Sequence, residues 1–208
     1  MKLLILGATG GIGLEIVRQA IDAGHQVTAL VRTPKRLKEF AGRMAAIQGD
    51  VLNSADLARA LEGQDAVLSG FGAREPRSKA DADLLRRFAV ALTRAMLQAK
   101  IRRAIVVSVA FLFTDSIIPP TYLFGRLFFR DVVTDASGME DIFRKSALDW
   151  TILRPPRLTD NPRTGKYRVR EGHLPRFGFK ISRADVAEFM ISTIQNGATI
   201  GKIIGLSN

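Results

Sequence analysis

Short apolar runs alternate with segments of helical periodicity along most of this chain. The first run, Leu3–Leu6, leads into a glycine-rich turn, and a segment with apolar residues at helical spacing follows between Ile12 and Ile21. Similar runs predict further strands at Val27–Val31, Ala45–Gln48, Gln64–Leu68, Ala104–Val107, Trp150–Leu153 and Lys202–Ile204. Strands that alternate with helices in this way predict right-handed crossovers and an α/β fold with a doubly wound parallel sheet.

The turn after the first run predicts a site for a diphosphate. Gly7, Gly10 and Gly13 are spaced three and three. The first glycine lets the chain turn, the second lets a ligand approach the backbone, and the third permits close packing of helix and strand. The amides at the helix N-terminus then favour an anion. An ordinary strand–helix turn is the alternative, but the strand before and the helix after favour a Rossmann-type dinucleotide site.

The end of the second strand indicates which nucleotide is preferred. A Rossmann unit that prefers NAD places an acidic residue about 20 residues past the glycines, where it binds the ribose 2′-hydroxyl. Here Arg32 follows Gly13 by 19 residues, and Lys35 and Arg36 come next. The planar guanidinium group suits a 2′-phosphate, so the sequence predicts NADPH. The alternative is a solvated basic loop.

Composition narrows the classes of protein to consider. The 208 residues predict one domain, 1–208, with a small C-terminal portion on the substrate side. The chain has no cysteine, which excludes disulfides and thiol catalysis and fits a cytoplasmic protein. With two histidines besides, no metal site is expected. No apolar run is long enough to span a membrane. The net charge of +11 is scattered along the chain, so we expect no nucleic-acid partner.

Two further positions carry candidate chemistry. Ser108 ends the fifth predicted strand, where the ligand crevice of such a sheet lies. The segment Phe111–Phe129 holds six aromatic residues, which would form a flat wall for a planar substrate. The alternative is that these rings belong to the core or to a dimer contact, and both a monomer and a homodimer remain open.

Asp50, after the third predicted strand, has two candidate roles, binding the adenine amino group and capping the next turn.

Several short motifs occur in an order that resembles a known family. They are Gly7–Gly13 (GATGGIG), Leu30–Arg36, Gly49–Val51, Gly63–Val67, Ala110–Leu112, Leu153–Pro156 and Thr164–Tyr167. Together they resemble the atypical short-chain dehydrogenases/reductases, the NAD(P)H-binding family that includes NADPH-dependent flavin reductase, and the resemblance covers nearly the whole chain. It implies hydride transfer from NADPH to a planar acceptor such as a flavin, a quinone-like molecule or a tetrapyrrole-like molecule.

The resemblance also implies roles for individual residues. Those holding the pyrophosphate would be Gly7, Thr9, Gly10, Gly11, Ile12 and Gly13, with Arg32 and Arg36 on the 2′-phosphate and Asp50 and Val51 beside adenine. Those near the ribose and nicotinamide would be Gly72, Ala73, Arg74, Ser108, Pro155 and Pro156. Phe111 and Arg157 would contact the substrate.

The chain departs from the family pattern in its candidate catalytic residues. Flavin reductase has a Thr-Ser pair where this chain has Ser108-Val109, and a histidine where it has Arg157. The superfamily's Tyr-x-x-x-Lys pair, in which lysine lowers the pKa of tyrosine, has a near match in Tyr122 and Arg126. A catalytic Tyr122 and a packing Tyr122 both remain open. The alternative functions are a sugar-nucleotide epimerase or carbonyl reductase, and a non-enzymatic NADP(H) sensor.

Overall fold

The structure is a computed structural model that describes residues 1–72, 82–113 and 130–208. Its main sheet has eight strands in the order β3-β2-β1-β4-β5-β6-β10-β8. Their bounds are β1 Lys2–Leu6, β2 Gln26–Val31, β3 Ala45–Gln48, β4 Ala66–Ser69, β5 Arg103–Val107, β6 Asp149–Arg154, β8 Arg168–Glu171 and β10 Lys202–Ser207. All neighbouring pairs are parallel except β10 with β8. This order confirms the predicted doubly wound sheet.

Five α-helices within the described ranges cover the two faces of the sheet. They are α1 Gly11–Asp22, α2 Ser54–Leu61, α3 Leu84–Gln98, α4 Arg130–Lys145 and α5 Arg183–Ser192. The core on one face contains buried residues of α1 and α5, and the core on the other contains buried residues of α2, α3 and α4. The helix after β1 (α1) and the helix before β4 (α2) lie on opposite faces, so the neighbouring strands β1 and β4 mark the point at which such sheets form a crevice outside the carboxyl ends of their strands.

A small parallel sheet lies beside the main one. It pairs β7 Arg157–Thr159 with β9 Lys180–Ser182, and β7 begins directly after the two prolines that end β6. Ser182 then caps α5 by accepting a hydrogen bond from the amide of Asp185. The N-terminus of α5 lies close to that of α1, where the side chain of Arg183 contacts Gly11.

Some element bounds differ from those the sequence predicts. The sequence predicts a helix from about Ser137, but α4 already includes Arg130, the first described residue after the gap. The last strand runs to Ser207 rather than ending at Ile204. A run of 3₁₀ conformation at Pro34–Phe40 follows β2, where the sequence predicts only a basic loop. Within the described ranges, no helix is both long and apolar enough to cross a bilayer.

Candidate cofactor site

A groove of about 510 Å³ opens where the first strands of the sheet end. Seven of the residues predicted to bind the cofactor line it: Gly7, Thr9, Gly10, Arg32, Asp50, Val51 and Gly72. They come from the carboxyl ends of β1, β2, β3 and β4, so the sheet brings together residues that are distant in sequence. This is the edge at which open parallel sheets bind their ligands.

The glycines of the turn leave no room for side chains. Gly7 has φ +73°, and a Cβ there would lie 2.6 Å from the backbone nitrogen of Phe71. A Cβ on Gly13 would lie 2.1 Å from the carbonyl oxygen of Gly7, and one on Gly70 would lie 2.9 Å from the nitrogen of Gly13. The backbones of β1, α1 and the segment after β4 therefore touch directly, and the turn closes with a 2.9 Å hydrogen bond from Gly10 N–H to Gly7 O.

The first turn of α1 offers its amides to a ligand. Its first intrahelical bond runs from Leu14 N–H to Gly10 O at 2.8 Å, so the amides of Gly11, Ile12 and Gly13 precede it. Gly10 supplies no side chain to cap them, and the turn carries no acidic residue. The partial positive charge of the helix N-terminus is thus left for an anion, which fits the diphosphate of a dinucleotide.

The predicted 2′-phosphate residues differ in position. Arg32 directly follows β2, is exposed, and lines the groove. Arg36 lies one turn further on in the 3₁₀ segment, is also exposed, and is outside the groove lining. Asp50 accepts a hydrogen bond from Leu52 N–H at 3.0 Å through Oδ1, so its side chain caps the turn before α2. One carboxylate edge of Asp50 is thus engaged within the turn, at the rim of the groove.

Beyond the groove, Ser108 belongs to a buried polar cluster. Its hydroxyl donates to Oε1 of Glu140 on α4 at 2.5 Å. Arg154, at the end of β6, donates to both oxygens of the same carboxylate, at 2.9 and 2.5 Å. The guanidinium of Arg154 also lies 4.7 Å from the ring centroid of Phe113. Neither Glu140 nor Arg154 was predicted as a site residue. Arg154 lies within the Leu153–Pro156 motif, whereas no local motif points to Glu140.

The remaining predicted residues lie around this cluster or outside the described chain. Pro155 is buried, Pro156 is half-buried and Arg157 is exposed at the start of β7. Phe111 is half-buried in the short 3₁₀ turn Ala110–Leu112. Ala73, Arg74, Tyr122 and most of the aromatic segment lie outside the described residues.

The groove is also lined by one helix that the sequence analysis did not assign to the site. Leu84 and Arg87 line the groove from the first turn of α3. Arg87 forms a 2.9 Å ion pair with Asp83, the residue before the helix. Their spacing matches the helical period, but only the folded chain shows that this turn faces the ends of β3 and β4.

Comparison with known proteins assigns the family. A family model described as NAD(P)H-binding matches residues 7–197, so the chain belongs to the NAD(P)H-binding family, as the motifs predict. This match also confirms the predicted cofactor class, and the glycine turn and uncapped helix described above fit such a nucleotide.

Individual relatives extend over most of the chain. The uncharacterized protein YwnB of Bacillus subtilis is 30% identical over 175 residues, which are 81% of this chain and 78% of YwnB. The uncharacterized sugar epimerase YhfK of the same organism is 30% identical over 216 residues, covering 100% of this chain and 94% of YhfK. The photosystem II assembly factor Ycf39 of Synechocystis is 42% identical over 77 residues, and that match spans only 23% of Ycf39.

A solved structure shows the same fold. The anaerobilin reductase ChuY of Escherichia coli O157:H7 superposes with a TM-score of 0.81 at 21% identity, over 100% of this chain and 97% of ChuY. At this identity the likeness concerns the fold.

Proposed function

We propose that this protein is an NADPH-dependent reductase that passes hydride from the nicotinamide to a planar acceptor. The acceptor class is a flavin, a quinone-like molecule or a tetrapyrrole-like molecule. The bound cofactor supplies the hydride, and the acceptor gains two electrons and takes its proton from solvent. The observation that carries the proposal is the hydrogen bond from Ser108 to Glu140.

That hydrogen bond decides what Ser108 can offer a substrate. A serine hydroxyl has one hydrogen on its oxygen, and here that hydrogen is donated to Oε1 of Glu140, which also accepts from Nε of Arg154. The oxygen of Ser108 therefore remains as an acceptor, suited to an amide N–H rather than to a carbonyl oxygen. Reduction of a carbonyl needs a proton donor at the oxygen, whereas a flavin or a conjugated tetrapyrrole can be protonated by water.

The choice of NADPH is supported by the charge at the end of β2. Arg32 lines the groove where the ribose of the adenosine half would lie, and no acidic residue follows β2 before Glu39. A guanidinium group binds a phosphate through two parallel hydrogen bonds, whereas a ribose hydroxyl offers it no negative charge. The groove thus favours the phosphorylated nucleotide.

The acceptor class is supported by features around the end of β6. Pro155 and Pro156 make a stiff edge, and Arg157 adds an exposed positive charge. Phe111 supplies a half-buried ring two residues before Phe113, whose own ring lies 4.7 Å from the guanidinium of Arg154 at the end of β6. An aromatic and cationic surface suits a flat molecule that carries acidic groups. A tetrapyrrole-like acceptor is implied by the sequence resemblance, and the fold shared with ChuY, an anaerobilin reductase, agrees with it.

The test is NADPH oxidation, followed by absorbance, with FMN, FAD, riboflavin, a quinone and biliverdin in turn, and then with NADH. Turnover of NADPH with at least one of these acceptors, and weaker turnover with NADH, supports the proposal. Tight binding of NADPH without turnover of any acceptor would contradict it and favour a nucleotide sensor.

Tyr122→Phe separates the reductase from the second candidate, an epimerase or carbonyl reductase. This candidate is favoured by the relative YhfK, whose name describes a sugar epimerase. Our proposal expects the variant to retain its turnover with planar acceptors. Loss of turnover in Tyr122→Phe, with NADPH affinity retained, would instead identify the tyrosine as an acid–base catalyst.

A further inference from the structure

Arg183 lies across the first residue of α1. A Cβ placed on Gly11 would be 2.4 Å from Cδ of Arg183 and 2.5 Å from its Nε. The φ angle of Gly11 is not in the left-handed region, so the backbone alone does not demand glycine here. The side chain of Arg183 occupies the space that a side chain at Gly11 would take. Gly11, within the glycine-rich motif, is therefore in contact with Arg183, 172 positions further along the chain.

The ion pair that Arg183 makes is easily exchanged. Its Nη1 lies 2.6 Å from Oδ1 of Asp160, whose side chain is 90% exposed, whereas the side chain of Arg183 is 29% exposed. An ion pair with a solvated carboxylate contributes little to stability, because the carboxylate loses almost nothing by returning to water. The guanidinium thus lies over Gly11 and is paired with a carboxylate that can return to water.

The guanidinium of Arg183 lies at the end of α1 that is expected to bind the diphosphate of the cofactor. It sits beside a helix N-terminus that has no side-chain cap and no acidic residue in its first turn. The neighbouring residues Gly7, Thr9 and Gly10 line the cofactor groove, while Gly11 and Arg183 line an adjoining groove of about 700 Å³ along α1. Arg183 therefore stands at the junction of the two, next to the amides that would receive a diphosphate.

We propose that Arg183 is a cofactor-binding residue that exchanges Asp160 for the pyrophosphate of the dinucleotide. Amides and a helix dipole supply only partial charges, and the guanidinium adds a full one with two parallel N–H donors. Since NADPH and NADH share the pyrophosphate, Arg183 sets the affinity for both and leaves the choice between them to Arg32. This inference rests on the NAD(P)H site of the proposed function.

The first experiment measures the dissociation constants of NADPH, NADH and 2′-AMP for Arg183→Ala. We expect both dinucleotides to bind roughly 10- to 100-fold more weakly, the range for a lost charge-assisted hydrogen bond, with the NADPH/NADH ratio unchanged. Binding of 2′-AMP, which lacks the pyrophosphate, should be unchanged. Arg163→Ala removes the same charge from an exposed residue of the adjoining groove and should change nothing.

The second experiment is a double-mutant cycle with Gly11→Ala. A methyl group at Gly11 displaces Arg183, so this variant should weaken both dinucleotides, and adding Arg183→Ala should cause little further loss. Asp160→Asn, which removes the competing carboxylate, should leave the affinity unchanged or raise it.

Three results would overturn the inference. A folded Arg183→Ala variant with unchanged affinity for both dinucleotides would show that the guanidinium does not touch the pyrophosphate. An equal loss for 2′-AMP would show a general distortion of the groove. Failure of the unmodified protein to bind either dinucleotide would instead contradict the cofactor site on which the inference rests.

Discussion

The hydroxyl of Ser108 and the carboxylate of Glu140 are 2.5 Å apart and almost fully buried, with 7% and 2% of their surfaces exposed. Arg154 completes the cluster by binding both oxygens of Glu140. One carboxylate therefore joins the ends of β5 and β6 to the middle of α4. Ser108, which the sequence indicates as a candidate catalytic residue, therefore donates its hydroxyl hydrogen to a buried ion pair.

Replacing Ser108 by alanine tests whether it acts as an acceptor or as an acid. We expect kcat/KM with NADPH and a planar acceptor to fall about 2- to 10-fold, the range of a single neutral hydrogen bond. The pH dependence of the rate should stay as it is in the unmodified protein. A fall of about 100-fold or more would be typical of a lost acid–base catalyst and would contradict the acceptor role.

Arg154→Met should be strongly destabilising. It leaves the carboxylate of Glu140 buried without its cation, and the expected loss is about 3–5 kcal/mol in the free energy of unfolding, measured by urea denaturation. The matched control is Arg144→Ala on the same helix as Glu140. Arg144 pairs with Asp141 at 3.9 Å with both side chains 57% exposed, so the control should change stability by less than about 0.5 kcal/mol. Equal effects would mean that burial of the pair is unimportant.

Arg32→Ala should change the choice of cofactor. We expect kcat/KM for NADPH to fall roughly 10- to 100-fold, because a charge-assisted contact with the 2′-phosphate is lost, while the value for NADH stays the same. Lys35→Ala removes the same charge from an exposed residue three positions further on and serves as the control. If both variants weaken NADPH equally, the preference comes from the general positive field rather than from Arg32.

Gly13→Ala tests the backbone contact between α1 and β1. The added methyl group would overlap the carbonyl oxygen of Gly7, so we expect a loss of about 1–3 kcal/mol in stability, seen as a lower midpoint of urea unfolding. Gly197→Ala is the control, because a Cβ there meets no atom within 4 Å. A Gly13→Ala protein as stable as the control would show that the helix can shift away from the strand without cost.

Asp185 should contribute stability that disappears in acid. Burial raises the pKa of this carboxyl, but hydrogen bonds from the amides of Gly165 and Thr164 and from the side chains of Asn208 and Ser182 outweigh it, so the pKa lies below the ordinary 3.8. The contribution is therefore full above the unfolded-state pKa and is lost as the pH falls through the native pKa.

The variant Asp185→Asn measures that contribution. The variant should be less stable by about 1–3 kcal/mol in the free energy of unfolding at pH 7. Its amide NH₂ group is a donor, so it cannot accept the hydrogen bonds that one carboxylate oxygen of Asp185 accepts. The difference from the unmodified protein should shrink as urea unfolding is repeated at pH values below about 3.8. A difference that is constant down to the lowest pH would show that the charge of Asp185 is not what the hydrogen bonds stabilise.

The fold was largely predictable because its signals are local. Apolar runs separated by helical periodicity define each strand–helix unit, and right-handed crossovers then restrict the face on which each connecting helix packs. The pairing of β7 with β9 was not predicted, since three-residue strands carry no periodic pattern. The early start of α4 was missed because Arg130–Ala136 is mostly polar and shows its buried stripe only when packed against α3.

The residues of the candidate site likewise fall into two groups, those found in a local motif and those defined only by long-range contacts. Gly7, Gly10 and Arg32 stand in a motif that can be found by counting along the chain. Glu140 and Arg183 act through contacts with residues 32 and 172 positions away, and a single sequence holds no signal for such pairs. In the sequence, Arg183 is recognisable only as the first residue of a helix capped by Ser182. Its contact with Gly11 is visible only in the folded protein.

The direct backbone contact among Gly7, Gly13 and Gly70 has a consequence for the energetics of binding. Segments packed without intervening side chains have few ways to rearrange, so the backbone here should already be ordered in the free protein. A nucleotide arriving there meets a surface that is already ordered and loses little affinity to the entropy of fixing it. On binding, slower hydrogen exchange should therefore appear at the surrounding loops and at the amides of Gly11, Ile12 and Gly13, which would receive the diphosphate. The amide of Gly70, which already donates to Leu6 O, should remain as protected as before.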